Sequence, residues 1–432
     1  TSDLNGISYI HLEYLSQNFS GAFLQNQVSS TRKMYQGLIS GSLPFILDTS
    51  SQKLFRSSTQ GLNWQLVVES NLSSSLYLAK SEEIIPVSNL SRVTFGLIDP
   101  NEAYSYLIVS SRQLSQSAEA YRNYRSASYK TLLVYAEDLA NTFFYGHHHP
   151  LAIRRFVKYL YQNQSTKPQY LLLLGRGYQN SLLRLTPENY AKNLVPAIGE
   201  PSSDNMFSSG FDNDKGVPAL ATGRIPASTN AEVLNYLNKL IRIENEDSIA
   251  FWRKQYLHIS GGEDYFSEQL PFKNQVNAME NIIKRAPTGA FVSSFHKNVT
   301  APTQDNIREK LIAIQNNGIS MLTFLGHGSL TVLDMDFGSI GNLQSTQKPA
   351  FYYFNGCNIG NANDVDPGGT GLVYGKDFLC AANKGAIGWL AHSNLTLTNN
   401  LFSQMNSFYT AINGLHYGKG VGRIIQEALL QS

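Results

Sequence analysis

Residues 170–174 read Tyr-Leu-Leu-Leu-Leu, apolar at every position. A run of this length is strand-sized. A strand with no polar face is buried on both sides, which suits a parallel sheet covered by helices. The flanking sequence has the rhythm such a sheet requires. Segments 104–110 and 130–135 are strand-like. Pro150 opens a helix that sets Ile153, Phe156, Val157 and Leu160 on one face at the helical repeat. A second helix begins at Thr229, which forms a capping box with Glu232, and its apolar face is Val233, Leu237, Leu240 and Ile241.

The alternation resumes near residue 251. Strand 256–260 leads into a helix through Val276, Met279 and Ile283, and strand 291–295 into one carrying Ile307, Leu311 and Ile314 that ends at Gly318. Strands 319–325 and 350–355, a helix over 371–383, a strand over 385–391 and two further helices follow. Residues 1–98 differ, with short strands at 7–15, 42–47, 64–69, 75–79 and 92–95 between Ser/Asn-rich turns. The expected organisation is an N-terminal all-β sandwich domain (1–98), a first αβ subdomain (99–250) and a second αβ subdomain (251–432).

Composition removes whole classes of function. The 34 basic and 32 acidic residues are scattered and leave a net charge of +2, so nucleic-acid binding has no electrostatic support. No apolar run approaches the roughly 18–20 residues of a membrane helix, so no transmembrane segment is expected. The charged fraction is only 15%, and Ser, Asn, Gln and Tyr carry the polarity, a balance commoner in secreted or surface proteins. Two cysteines cannot make a disulfide framework, and no CxxC pair exists for zinc.

In open α/β sheets, functional groups gather at the carboxyl ends of strands. Gly326-His327-Gly328-Ser329 follows the strand at 319–325, Gly356-Cys357-Asn358 follows 350–355, and Gly261-Gly262-Glu263-Asp264 follows 256–260. A base, a thiol and a carboxylate thus meet at one sheet edge. That set suits nucleophilic thiol catalysis: the imidazole takes the thiol proton and returns it to the leaving amine, and a carboxylate orients the ring. The backbone N–H groups of Gly328 and Cys357 are the natural oxyanion donors. Against this, a lone Cys is usually core, and a His between glycines can be a simple turn. Cys380, inside Phe378-Leu-Cys-Ala-Ala, reads as core. A Cys357–Cys380 disulfide is an alternative that would silence the nucleophile.

The pocket beside Cys357 is expected from strand 385–391 and the polar loop behind it, with Trp389, His392, Ser393 and Asn394 as its residues. No Asp or Glu occurs from 385 to 400, which predicts small or uncharged residues at the cleaved bond. The oxygen-rich loop after Cys357 holds Asp364 and Asp366, which read either as calcium ligands or as a solvated cleft loop. His147-His148-His149 reads as a polar loop before the Pro150 helix rather than a metal site. The chemistry requires no cofactor.

TFLGHGS at 323–329 and FYYFNGCNIGN at 351–361 resemble the His and Cys motifs of the gingipain family of cysteine peptidases, which includes the sortase of the Bacteroidetes type IX secretion system. TFFYGHHHPLAIRRFVKYLY at 142–161, YLLLLGRGY at 170–178, SDNMFSS at 203–209 and ATGRIPASTNAEV at 221–233 resemble the family's first subdomain, in the right order. The resemblance covers roughly residues 100–432 and implies a caspase-like fold of two αβ subdomains, with Cys357 as nucleophile, His327 as base and Glu263 as acidic helper. It implies protein substrates, above all secreted cargo bearing a C-terminal sorting signal. Other secretion-system components are implied as partners, and the outer-membrane-associated surface of a Gram-negative bacterium as the location. Two departures stand out. Arg176 lies between the glycines where the family often has Asp, and the carboxylate that gives some gingipains their Arg preference would fall near Phe272 and Lys273, where none occurs.

Overall fold

The computed structural model describes residues 24–29, 32–39, 41–48, 53–69, 76–79, 93, 95, 98–212, 216–246, 249–298, 305–344, 348–364 and 373–431. The chain divides into two compact units, Thr1–Arg92 and Val93–Ser432.

In the first unit, β1 (Leu24–Ser29), β2 (Arg32–Leu38), β3 (Phe45–Asp48), β4 (Lys53–Arg56), β5 (Ser58–Gln60), β6 (Asn63–Glu69) and β7 (Leu76–Ala79) make two antiparallel sheets, ordered β1-β2-β6-β5 and β4-β3-β7. Trp64 and Leu66, alternate residues of β6, are buried while Gln65 between them is less so, the period-two pattern of a half-buried strand. β3, β6 and β7 fall on expected strands. The segment 7–15 lies outside the described residues. So do parts of 92–95, of which Val93 and Phe95 are described and carry no strand.

The second unit begins with a parallel sheet. Its elements are β8 (Tyr106–Ser110), α1 (Ser115–Ser126), β9 (Thr131–Tyr135), α2 (Ala136–Phe143), α3 (Pro150–Asn163), β10 (Tyr170–Leu174), α4 (Asn180–Leu185), β11 (Ala221–Ile225) and α5 (Asn230–Asn245), with strand order β11-β10-β8-β9. Leu171 to Leu174 of β10 are all buried, as a strand covered on both faces must be. Ile153, Phe156, Val157 and Leu160 of α3 pack on one face of this sheet. The expected cap of α5 forms at Thr229, which accepts from Glu232 N–H at 3.2 Å, but the Glu232 carboxylate reaches one residue further back than a capping box does, to Ser228 N–H at 2.6 Å.

A five-stranded parallel sheet follows. It comprises β12 (Gln255–Ser260), α6 (Leu270–Ile283), β13 (Phe291–His296), α7 (Asp305–Asn317), β14 (Met321–Leu325), β15 (Ala350–Asn355), α8 (Tyr374–Cys380), β16 (Ala386–Ala391), α9 (Thr398–Ile412) and α10 (Val421–Gln431), in the order β13-β12-β14-β15-β16. Gly318 ends α7 at φ +98°, a left-handed conformation that glycine adopts without strain. One apolar core runs through both sheets, joining Ile108, Leu172 and Ile225 to Leu257, Leu322 and Phe354. At the seam, Lys239 of α5 is fully buried, and its ammonium donates to the carbonyls of Phe378, Leu379, Lys384 and Ala386 at 2.9–3.2 Å.

Candidate active site

Parallel register builds the site. Ser260 of β12 pairs with Leu325 of β14, and Leu325 pairs with Asn355 of β15. Gly262, His327 and Cys357 therefore occupy matching positions, each two residues beyond its strand, on strands about 4.8 Å apart. The pairing continues into the loops: Gly261 N–H donates to Leu325 O at 2.8 Å, and Gly326 N–H to Asn355 O at 3.1 Å. A Cβ on Gly356 would lie 2.8 Å from Gly326 O, so a side chain there would wedge the His and Cys loops apart. Asn358, with φ +59°, turns the chain directly after Cys357 in a conformation Asn tolerates better than most residues.

Cys357 is a free, half-buried thiol, and His327 is exposed. His327 Nε2 lies 2.9 Å from Glu268 Oε2. A carboxylate only accepts, so Nε2 carries the proton in this contact. The expected partner, Glu263, is not the one used. Its side chain is exposed, and it contributes its backbone N–H, 2.7 Å from the same Glu268 oxygen. The cause is local: Asp264 accepts from the N–H groups of Phe266 and Ser267 and opens a π-helical turn, Tyr265–Gln269, that returns the chain toward His327 at residue 268. Burial works to raise the Glu268 carboxyl, but the Glu263 N–H and His327 together outweigh it and hold it below its ordinary value. Phe272, buried in α6, stands 6.3 Å ring to ring from His327.

The N–H groups of Gly328 and Cys357 form no hydrogen bond among the described residues. Loop 392–394 is tied to the loop after Cys357 by two backbone bonds, Asn358 N–H to Asn394 O at 3.2 Å and Gly360 N–H to His392 O at 2.9 Å. Burial lowers the pKa of the His392 imidazole. Trp389 is held in an aromatic cluster with Phe354 and Tyr352, and its indole N–H donates to Ile359 O at 3.3 Å. Trp389 and Ser393 line a cavity of about 210 Å³ that also meets Asp204, Arg224 and Asn363 across the subdomain seam. The Asp204 carboxylate there is already engaged by the Arg224 guanidinium at 2.8–3.1 Å.

Other expected groups separate from this site. Cys380 is buried in α8, and burial pushes its thiol up to about 12. Both thiols are free, so the disulfide alternative is not realised. Asp364 interacts with the Asn361 amide at 3.3 Å, while Asp366 lies outside the described residues. Among the described residues no three His, Cys, Asp or Glu side chains gather to hold a metal. Of the histidine triplet, His149 caps α3 and stacks on Phe144 at 4.4 Å, and His148 bonds Asn193 O at 2.7 Å. Arg176 reaches across the seam to Asp364 O at 2.9 Å. No helix among the described residues is long and apolar enough to cross a membrane.

Residues 99–432 match peptidase family C25. The crystal structure of the Arg-specific cysteine proteinase gingipain R (RgpB) matches with a TM-score of 0.59 at 17% identity, over 78% of this chain and 74% of that one. The complex of Porphyromonas gingivalis RgpB pro- and mature domains gives 0.59 at 17% identity, over 75% and 73%. Dimeric latent PorU from Porphyromonas gingivalis gives 0.35 at 20% identity, over 54% of this chain and 26% of that one. No curated protein matches. The RgpB likeness establishes the fold, the caspase-like arrangement of two αβ subdomains.

Proposed function

The chain belongs to peptidase family C25, the gingipain family of cysteine peptidases, whose thiol chemistry needs no cofactor, and from that premise we propose that it is a sortase-like endopeptidase or transpeptidase with Cys357 as nucleophile, His327 as base and Glu268 as the group that orients the base. Cys357 Sγ attacks the scissile carbonyl and its proton passes to the imidazole. The oxyanion is met by the N–H groups of Gly328 and Cys357. Collapse of the tetrahedral adduct breaks the C–N bond, the imidazolium protonates the leaving amine, and a thioester remains. Water resolves it in hydrolysis; an amine, such as one on surface lipopolysaccharide, resolves it in transfer. With Nε2 turned to Glu268, Nδ1 is the ring nitrogen left to take the thiol proton.

The observation that carries this is the shared register of His327 and Cys357, two residues past adjacent parallel strands. The sortase subclass is supported by the motif order along the sequence. It is supported further by Phe272 and Lys273 where an Arg-selective carboxylate would stand, and by the engagement of Asp204 with Arg224 in the neighbouring cavity. Its substrates are then secreted proteins cut at a C-terminal signal, with small or uncharged residues at the bond, on the outer surface of a Gram-negative cell beside other secretion components.

Incubation with a cargo protein and an added amine acceptor tests this. Release of the C-terminal signal with the acceptor joined to the cargo, abolished by Cys357→Ala, is the expected result. Hydrolysis alone, with no joined product at high acceptor, refutes the transpeptidase step. A second reading, a scaffold that keeps the fold without catalysis, draws on the lack of a Cys357–His327 hydrogen bond among the described residues. It predicts no cleavage by the wild-type chain.

A further inference from the structure

We propose that Asp334 is a positioning residue that clamps the backbone after β12 and after β14 and so sets His327 against Glu268. Nothing in the sequence marks it: it follows the His motif in a loop, in Leu333-Asp-Met-Asp. Its carboxylate lies beneath two glycine-containing turns at once. Oδ2 accepts from Gly262 N–H at 2.6 Å, and the Asp334 N–H donates to His327 O at 3.1 Å. Oδ1 is sealed from solvent. It fills the space where a Cβ would project, 2.1 Å from that position on Gly261 and 2.6 Å on Gly326. Neither residue tolerates a side chain while Asp334 stays in place.

The consequence runs to both partners. At His327 the contact is direct, through its carbonyl. At Glu268 it runs through the turn that carries it: Gly262, at φ +111°, has its carbonyl bound by the Gln269 amide at 3.2 Å, and Glu263 N–H reaches back to the Glu268 carboxylate. Gly262 is therefore the fixed point of the π-helical turn, and Asp334 fixes it. Burial pushes the Asp334 carboxyl up, while the N–H groups of Gly262 and His327 and the charge of Lys297 pull the other way. The carboxylate is held by one hydrogen-bond donor, the Gly262 N–H, and its second oxygen is packed against Gly261 and Gly326 with no hydrogen-bond partner among the described residues, while the loop after β14 is tied through the Asp334 backbone N–H. A buried carboxylate so placed costs stability unless that donor stays in place.

This rests on His327 acting as the base. The test is the crystal structure of Asp334→Ala and of Gly326→Ala, with melting temperature and steady-state kinetics of both. The Gly326 variant places a Cβ 2.6 Å from Asp334 Oδ1 and 2.7 Å from the Phe324 ring. The expected result is a His327 Nε2 to Glu268 Oε2 separation opened beyond 3.5 Å from its 2.9 Å, with β12 and β14 intact. In turnover, kcat should fall about 10-fold or more with KM within about twofold, the mark of an interaction made in the transition state. An unchanged separation in both variants overturns the proposal. So does a separation that opens only when the buried contact between His258 of β12 and Tyr409 of α9, 2.8 Å in the wild-type chain, is lost as well, since Asp334 would then be holding the sheet and its packing. If the wild-type chain cleaves no protein, the peptidase assignment falls, while the separation still decides the role of Asp334.

Discussion

Two glutamates compete for one role, and substitution separates them. Glu268→Gln keeps the side chain's shape and its capacity to accept a hydrogen bond but removes the charge facing His327 at 2.9 Å. A hydrogen bond to a charged group is worth roughly 1.5–3 kcal/mol. The contact is partly wet, with His327 48% and Glu268 29% exposed, so the lower part of that range and somewhat below applies, about 1–2 kcal/mol. That corresponds to a loss of roughly 5–30-fold in kcat/KM. Glu263→Gln leaves in place the backbone N–H and carbonyl through which Glu263 bonds Glu268 and Gln269, so its activity should stay within about twofold of wild type. The assay is cleavage of a neutral peptide panel at fixed pH and salt, since high salt weakens an exposed pair. A larger loss from Glu263→Gln than from Glu268→Gln would refute the assignment of Glu268.

The other expectations concern stability and specificity. Cys380→Ala should leave cleavage unchanged while lowering stability by about 1 kcal/mol, read by chemical denaturation. Lys239→Met leaves four carbonyls at the seam without their donor, and should cost about 3–5 kcal/mol and roughly 6–10 °C in Tm. Burial pulls the Lys239 ammonium down to about 7, below its ordinary value, so the folded chain resists a proton that the unfolded chain binds. Wild-type stability should then rise between pH 7 and about 10.4, and the deficit of Lys239→Met should widen over that window. A peptide library should be cut at small or uncharged residues; fast cleavage confined to Arg or Lys would show that another carboxylate lines the pocket.

What was legible in the sequence was local. The buried strand at β10 and the apolar face of α3 follow from periodicity alone, and the α5 cap from four consecutive residues. The His327–Cys357 juxtaposition was legible because it depends only on which residues follow parallel strands. Glu268 was not, because the same strand-end rule selects Glu263. Only the Asp264 cap and the π-helical turn behind it move the acid five positions along. Asp204 and Arg224 look unrelated until a turn and β11 are packed side by side. Lys239 was hidden for a similar reason: on α5 it reads as a charge at the edge of an apolar face, and its carbonyl partners lie in the other subdomain. Long-range polar pairing leaves no periodic trace, and that is where the seam and the acid partner reside.

The central claim is that His327 activates the Cys357 thiol, and limited alkylation with iodoacetamide, mapped by mass spectrometry, tests it most directly. Cys380 serves as the internal reference, buried with its thiol pushed up to about 12. In the native wild-type chain Cys357 should be modified well before Cys380, and His327→Ala should slow the Cys357 reaction at least about 10-fold with the fold intact. A Cys357 rate that His327→Ala leaves unchanged would contradict the account.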